Sequence, residues 1–273
     1  MDLFTSSTRL GHRRSVLLAP SHSGTTHRFS VVHRDATEHA RLLAGAQRLR
    51  GRVYLSDGAI EPCQLTESGR HVQPADQRSY HLLSLDEDDQ VVACTRYLCH
   101  ENTVGFSRLG VAHTPLTAEK DRQPKLECAV ETELARARRS GYKYVEMGGW
   151  AITEQLRCST EAVRMVVTIY ALARMMGGAL GISTVTTRHA SSSILRRLGG
   201  SPLTHAGEEV STYFDPNYGC QMEILRFDSD RPSNTYESAI RRCQSLLERT
   251  PVVVPEKVES RLPLLSPLVS FSA

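Results

Sequence analysis

The chain has 273 residues, of which 40% are hydrophobic and 23% are charged, which is typical of a globular protein with one substantial core. Its net charge of +3 is too small to indicate nucleic-acid binding, and no segment has the run of about 20 apolar residues that a membrane span needs. Residues 1–30 lack the apolar run of a secretory signal, and the seven cysteines include no Cys-x-x-Cys pair. We therefore expect a cytoplasmic protein with reduced thiols, no metal site and no permanently bound cofactor.

The two ends of the chain differ in composition from its middle. Residues 1–35 are rich in Ser, Thr, His and Arg without periodicity, which predicts a basic and mostly disordered segment. Residues 251–273 are apolar but interrupted by four prolines, so this tail is expected to pack across the body of the protein or to be disordered, with contact to a membrane surface as an alternative. Residues 36–250 are predicted to form one domain.

Within this domain the apolar pattern alternates between the period of a helix and that of a strand. Helices are expected at residues 36–50, 123–140, 159–176, 191–200 and 235–249. Strands are expected at residues 79–85, 90–98, 142–152, 181–187, 208–214 and 220–227, the first two and the last two forming hairpins. This order predicts an α/β fold with a mixed central sheet and helices on both faces.

The predicted strand at residues 142–152 contains the stretch YVEMGGWAI, which differs from an ordinary buried strand. It places one carboxylate, Glu146, among apolar residues, and two consecutive glycines precede Trp150, the only tryptophan in the sequence. Gly148 and Gly149 favour a bulge and leave room for another molecule to approach the backbone. We therefore expect a functional site on this strand.

Two charged or polar features accompany this strand. Arg96 lies in the apolar row of the strand at residues 90–98, where its charge needs a partner, either in a structural ion pair or in a ligand. Gln155, Arg157, Ser159 and Thr160 lie at the start of the following helix, beside free backbone N–H groups. Such a helix start suits a phosphate, although a capped helix beside a surface arginine explains the same residues.

These segments, over roughly residues 36–250, resemble the GNAT superfamily of N-acyltransferases. The resemblance implies a central strand that splits from its neighbour, with the pantetheine arm of an acyl thioester in the split and its phosphate on the helix that follows. Within the superfamily the sequence is most similar to the autoinducer-synthase branch. That branch contains the acyl-homoserine-lactone synthases and the long-chain N-acyl amino acid synthases.

The resemblance to this branch rests on a small set of motifs in the same order. They are an Arg-rich first helix, here Arg48, Arg50 and Arg52; an Asp before the first hairpin, here Asp76; an Arg ending its second strand, here Arg96; and Glu-x-x-Arg-aromatic on the central strand, here Glu146 and Trp150. Gly149 stands where the branch keeps an arginine that helps to build the acceptor pocket. The resemblance implies that Arg48, Asp76 and Arg96 bind substrate.

The resemblance further implies transfer of a long-chain fatty acyl group to the amine of an amino-acid-like acceptor. Glu146 is then the general base, because the attacking amine must lose a proton. Gly148 lets the thioester approach the strand, and Trp150 lines the path of the acyl chain. The phosphopantetheine group is expected on the helix start at Gln155, Arg157, Ser159 and Thr160.

An acyl carrier protein is the expected donor and partner. GNAT enzymes meet the pyrophosphate of CoA with a glycine-rich loop, and residues 153–160 contain no glycine. The Arg-rich first helix suits the acidic surface of a carrier protein. Two alternatives remain: an acyl-CoA-dependent GNAT acetyltransferase acting on a small amine or a protein amino group, and a catalytically silent GNAT-like binding domain. For Glu146 the alternative to a base is an ion pair with Arg96 or Arg48.

Overall fold

The computed structural model describes residues 13–21, 23, 26–210 and 212–256. In this part of the chain five α-helices pack on one ten-stranded mixed sheet. The helices are α1 (Ala36–Ser56), α2 (Gln123–Ser140), α3 (Glu161–Met175), α4 (Ser191–Arg197) and α5 (Glu237–Leu247). The strands are β1 (Arg14–Leu18), β2 (Val32–Arg34), β3 (Tyr80–Leu85), β4 (Val91–Cys99), β5 (Lys143–Ile152), β6 (Ala179–Thr186), β7 (Ser201–Pro202), β8 (Thr204–His205), β9 (Glu208–Glu209), β10 (Thr212–Asp215), β11 (Cys220–Asp228) and β12 (Val252–Val254).

The strand order of the large sheet is β10-β11-β6-β5-β4-β3-β1-β12-β2, and the short strand β7 pairs with β11. β5 is parallel to β6, and β12 is parallel to β1 and β2, whereas the other neighbours are antiparallel. β8 and β9 form a separate two-stranded hairpin. The predicted α/β fold with a mixed sheet is thus confirmed.

The sheet extends past both predicted domain boundaries. β1 and β2 lie inside the segment predicted to be disordered, and that prediction is wrong for these residues: Val16, Leu17 and Leu18 are buried between β3 and β12. The apolar run is too short to show a period, and its burial comes from strands that are distant in sequence. β12 confirms the packing alternative for the first residues of the tail. Residues 1–12 and 257–273 of the two predicted end segments lie outside the described residues.

Each face of the sheet carries its own helices, because side chains alternate along a strand. On β5, Tyr144 packs in the cluster of α2, whereas Val145 packs in the cluster of α3 and α5. On β4, Cys94 packs with α1, whereas Ala93 packs with α3. Helices α1 and α2 therefore cover one face, and α3 and α5 cover the other.

Local signals account for the bounds of the main helices. The carboxylate of Asp35 accepts hydrogen bonds from the backbone N–H groups of Thr37 and Glu38 and so caps the start of α1. Gly141 ends α2 in the left-handed conformation, as its position in the sequence predicts. Within the described ranges, none of the helices combines the length and apolar character that crossing a membrane requires.

Candidate active site

β5 and β6 run side by side for only part of their length. Their parallel pairing ends at Glu146 and Ile182, and from there the described part of β5 continues paired with β4 on its other side. A gap therefore opens between the second halves of β5 and β6. This is the splayed strand that the sequence resemblance implied.

A bulge lies in the second half of β5. Gly149 and Trp150 together oppose the single residue Thr95 of β4. Gly149 has a φ of 61°, in the left-handed region that favours glycine. A Cβ at this position would lie 3.0 Å from Nη1 of Arg50 and 3.2 Å from Cβ of Arg96. The predicted glycine bulge is present, and the packing around it leaves no room for a side chain.

Replacing Gly149 by Ala is expected to lower the free energy of unfolding by about 1–3 kcal/mol, because alanine is strained at this φ and its Cβ pushes against Arg50. The neighbouring Gly148→Ala is a matched control, since its Cβ would come no closer than 3.6 Å to Nη2 of Arg96. We expect this control to stay within about 1 kcal/mol of the wild type. Urea unfolding measures both variants, and equal stabilities would contradict the structural role of the bulge.

The gap between β5 and β6 opens into a cavity of about 810 Å³, a size typical of small-molecule sites. One side of it, named here the apolar arm, lies towards α3 and is lined by Met147, Trp150, Val166, Ile169, Ile194 and Phe227. The other side, the polar arm, lies towards α1 and is lined by Tyr54, Gln73, Arg78, Arg96, Arg108 and Glu146. The two arms meet where the strands part.

Glu146 is the last residue of β5 that pairs with β6, so its carboxylate lies at this junction. Oε2 of Glu146 accepts a hydrogen bond from Nε2 of His100 at 2.8 Å, and Oε1 accepts one from the backbone N–H of Gly110 at 2.6 Å. The side chain is 16% exposed. Among the described residues the side chain that hydrogen-bonds to Glu146 is that of His100, and Arg96 pairs with Asp76, so the predicted alternative of an ion pair between Glu146 and Arg96 or Arg48 is not observed.

A buried charge cluster borders the polar arm. Nη1 and Nη2 of Arg50 donate to the two carboxylate oxygens of Asp76 at 2.8 and 2.6 Å, and both side chains are only 1% exposed. Burial acts to raise the pKa of Asp76, but the hydrogen bonds and charge of Arg50 outweigh it and hold this pKa well below its usual range. Arg96 adds hydrogen bonds to Gln73 at 2.5 Å and to Asp76 at 3.3 Å, and it is the arginine of this cluster that lines the cavity.

Two arginines lie at the far edge of the cavity, where α1 ends. Nη2 of Arg157 donates to both carboxylate oxygens of Asp57, at 2.8 and 3.0 Å. Arg188 donates to the backbone carbonyls of Asp57 at 2.8 Å and Gly219 at 2.6 Å. These contacts connect the loop before α3 and the segment after β6 to the end of α1. Both arginines line the cavity.

Several solved structures share the fold of this chain over most of its length. The acyl-homoserine lactone synthase BjaI, CoA-dependent and solved with SAM and isopentyl-CoA, aligns over 89% of this chain and 92% of its own, with 12% identity and a TM-score of 0.53. The CoA-dependent acyl-homoserine lactone synthase MesI aligns over 85% of this chain and 95% of its own, with 13% identity and a TM-score of 0.48. The N-acyl amino acid synthase FeeM, from uncultured soil microbes, aligns over 80% of this chain and 93% of its own, with 13% identity and a TM-score of 0.46. No protein-family model and no curated protein sequence matches the chain. The protein has the fold of an acyl-homoserine lactone synthase.

The synthase fold brings only some of the predicted site residues to the cavity. Those that line it are Arg96, Glu146, Gly148, Trp150 and Arg157, whereas Arg48, Asp76, Gln155, Ser159 and Thr160 are not among its lining residues. Arg48 and Arg50 are two positions apart on α1 and therefore point to nearly opposite sides of the helix. The side chain that pairs with Asp76 is that of Arg50, and Arg48, which was predicted to bind substrate, does not line the cavity.

The start of α3, where a phosphate-binding site was predicted, contains groups that the prediction did not include. The first turn already contains the buried carboxylate of Glu161, which pairs with Arg164 at 2.6 Å. The hydroxyl of Ser159 donates to the backbone carbonyl of Leu156. The arginines that line this part of the cavity are Arg157 and Arg188, both of which already donate to groups of the protein.

Sequence reasoning missed three residues of this region: His100, Gly110 and Arg188. His100 stands 46 positions before Glu146, and no short spacing links the two. Among the described residues the cysteine that lines the cavity is Cys220, and burial raises the pKa of its thiol, which does not favour a reactive thiolate. Glu146 places a carboxylate at the junction of the two arms, and His113 also lines the cavity.

Proposed function

We propose that this protein is an N-acyltransferase that moves a long-chain fatty acyl group from the thioester of an acyl carrier protein to the amine of an amino-acid-like acceptor. The observation that supports this most directly is the cavity, in which a carboxylate stands between an apolar arm and a polar arm. The fold shared with BjaI, an acyl-homoserine lactone synthase, supports the same class of reaction.

In the proposed reaction the acyl chain lies in the apolar arm and the acceptor in the polar arm. The acceptor nitrogen attacks the thioester carbonyl carbon and forms the new C–N bond, while Glu146 takes the proton that the nitrogen loses. The C–S bond then breaks, and the sulfur of the phosphopantetheine group leaves and takes up a proton to become a thiol. In this proposal, backbone N–H groups of β5 beyond Glu146, where the pairing with β6 has ended, stabilise the oxyanion, a contribution of about 10²–10³-fold per donor.

The cations at the cavity edge support a donor with a single phosphate. A phosphodiester there would meet Arg157 and Arg188, which now bind the carboxylate and carbonyl of Asp57. The first turn of α3 is already occupied by the buried ion pair of Glu161 and Arg164. These observations favour acyl-phosphopantetheine on a carrier protein. The second candidate donor is an acyl-CoA, which is favoured by the fold shared with the CoA-dependent BjaI.

The charges of the polar arm support an acceptor that carries an anionic group beside its amine. Arg78, Arg96 and Arg108 line this arm, and Glu146 is the carboxylate among the six residues that define it. A carboxylate on the acceptor would meet the arginines, while its amine would meet Glu146. An amino acid has both groups at a short separation.

The test is an assay of the purified protein with acyl groups of increasing length on either a carrier protein or CoA, against a panel of amino acids and of amines without a carboxylate. Mass spectrometry of the products, and of lipids from a bacterial host that expresses the chain, identifies any N-acyl compound. We expect N-acyl amino acids from the carrier-bound donor. Turnover of acetyl-CoA alone would replace this proposal with the acetyltransferase alternative, and carrier binding without product would favour a silent binding domain.

Acyl-chain length should depend on the closed end of the apolar arm. Met147, Ile169 and Phe227 line both this arm and a small apolar void of about 20 Å³ behind it. Met147→Ala is expected to join the void to the arm and to raise the preference for a chain two carbons longer by about tenfold, because each buried methylene contributes about 0.8 kcal/mol. Competition between donors of different length measures this preference. Met175→Ala removes a methionine that packs against the same cluster but lines neither space, and it should leave the length profile unchanged.

A further inference from the structure

The carboxylate of Glu146 is held from two directions by groups that the proposed reaction does not itself require. Nε2 of His100 donates to Oε2 at 2.8 Å, and the backbone N–H of Gly110 donates to Oε1 at 2.6 Å. Among the described residues each oxygen thus has one hydrogen-bond donor. The hydrogen bonds that the nearby Arg96 side chain donates go to Gln73 and Asp76.

The position of His100 follows from the sheet. Leu98 of β4 lies directly opposite Glu146, and His100, two residues later, is on the same face. The backbone N–H of His100 donates to the carbonyl of Tyr144 at 3.0 Å, which continues the pairing of β4 and β5 by one residue beyond β4. The imidazole is therefore a diagonal neighbour of Glu146 on a rigid sheet, and its side chain is only 8% exposed.

Gly110 approaches Glu146 from a different element. It begins a single-turn helix at Gly110–His113, and the residues on either side of it, Leu109 and Val111, are buried in the cluster of α2. A Cβ on Gly110 would lie 3.0 Å from Oε1 of Glu146. The absence of a side chain is what lets this backbone come within hydrogen-bond distance of the carboxylate.

We infer that His100 and Gly110 are positioning residues that hold the Glu146 carboxylate in one orientation towards the acceptor amine. This inference rests on the proposed function. With one donor on each oxygen, rotation of the carboxylate breaks both hydrogen bonds, so the lone pair that faces the cavity stays fixed. The proton from the acceptor nitrogen goes to that lone pair and then to the departing sulfur, and neither His100 nor Gly110 exchanges a proton with the substrates.

The test compares His100→Leu, which removes the donor, with His100→Gln, whose amide N–H can replace it. We expect His100→Leu to lower kcat by about tenfold or more with KM for the acceptor nearly unchanged, and His100→Gln to restore most of the loss. His205→Leu, a histidine on β8 outside the cavity, is the matched control and should keep wild-type kcat. Thermal unfolding of each variant verifies that the fold is kept.

A loss in His100→Leu that His100→Gln does not restore, or a change in KM alone, would overturn the positioning role. If His100→Leu does not fold, Gly110→Ala tests the inference, because the added Cβ pushes Oε1 of Glu146 away from the backbone N–H. A lowered kcat in this variant supports the inference, and an unchanged kcat overturns it. Failure of the proposed function can be distinguished from failure of the positioning role. A wild-type protein without turnover on any donor and acceptor contradicts both proposals, whereas an active wild type with an active His100→Leu contradicts only this one.

Discussion

Replacing Glu146 by Gln is expected to lower kcat for acyl transfer by about 10²–10⁴-fold, the range that positioned general bases contribute. Glutamine has nearly the same shape, and its carbonyl oxygen still accepts one of the two hydrogen bonds from His100 and Gly110. It does not accept the proton that the acceptor nitrogen loses. The measurement is steady-state turnover of the purified variant with the donor and acceptor that the wild type uses.

The matched control is Glu154→Gln, an exposed glutamate in the loop between β5 and α3 that does not line the cavity. It should keep the kcat of the wild type. Because the Glu146 side chain is partly exposed, we expect Glu146→Gln to change the unfolding free energy by no more than about 1–2 kcal/mol. A folded Glu146→Gln variant with wild-type turnover would exclude Glu146 as the base.

The largest effect on stability is expected from Asp76→Asn. The substitution keeps the size of the side chain but leaves the guanidinium of Arg50, which is 1% exposed, without its counter-charge. Breaking a buried ion pair in this way costs about 3–5 kcal/mol, a large part of the 5–15 kcal/mol that stabilises a typical domain. We expect a fall in the melting temperature of roughly 6–20 °C, measured by calorimetry or circular dichroism.

Asp89→Asn provides the control for this substitution. Asp89 also pairs with an arginine, Arg14, at 2.7 Å, but the two side chains are 52% and 47% exposed. Exposed pairs contribute at most about 1 kcal/mol, and asparagine tolerates the left-handed φ of 57° at this position. If Asp76→Asn were no less stable than Asp89→Asn, the buried pair would not be a main support of the fold.

Asp76 of the buried pair and its buried neighbour His81 predict how the stability of the protein changes with pH. Burial lowers the pKa of His81 from 6.5 to about 4, so its neutral form contributes stability that is complete above about pH 6.5 and is lost as the pH falls towards 4. The pKa of Asp76 is lowered from 3.8, so its ionised form contributes stability that is lost only below about pH 4. Denaturant unfolding from pH 8 to pH 3 should show both losses in the wild type, and Asp76→Asn should lack the one at lower pH.

Features that depend on neighbouring residues could be predicted from the sequence. Helix periodicity, the glycine that ends α2 and the alternation of the hairpin strands are local, and the structure has most of these elements close to the predicted bounds, although α1, predicted at residues 36–50, continues to Ser56. The glycine bulge and the carboxylate on β5 were also predictable, because a pair of glycines and a lone acid on an apolar strand are unusual within a few positions. Trp150, which was predicted to line the path of the acyl chain, is one of the residues of the apolar arm.

Partners that are distant in sequence could not be predicted in the same way. The first strand is a short apolar run among basic residues, and only its pairing with β3 and β12 makes it part of the core. The sequence offers both Arg48 and Arg50 as a partner for Asp76. Only the rotation of α1 against the sheet selects Arg50. The helix start at residues 159–161 suits a phosphate by its residue types, yet a buried glutamate already lies there.

The sequence by itself therefore determined the α/β architecture, the glycine bulge and the identity of the acid on β5, because period, glycine content and isolated charge are properties of short segments. The opened strand was implied by the family resemblance. The tertiary structure decided which groups meet that acid. His100 and Gly110 reach Glu146 from the end of β4 and from a separate turn. Hydrogen bonds between distant segments depend on strand register and helix rotation, and neither is encoded in the spacing of the residues that form them.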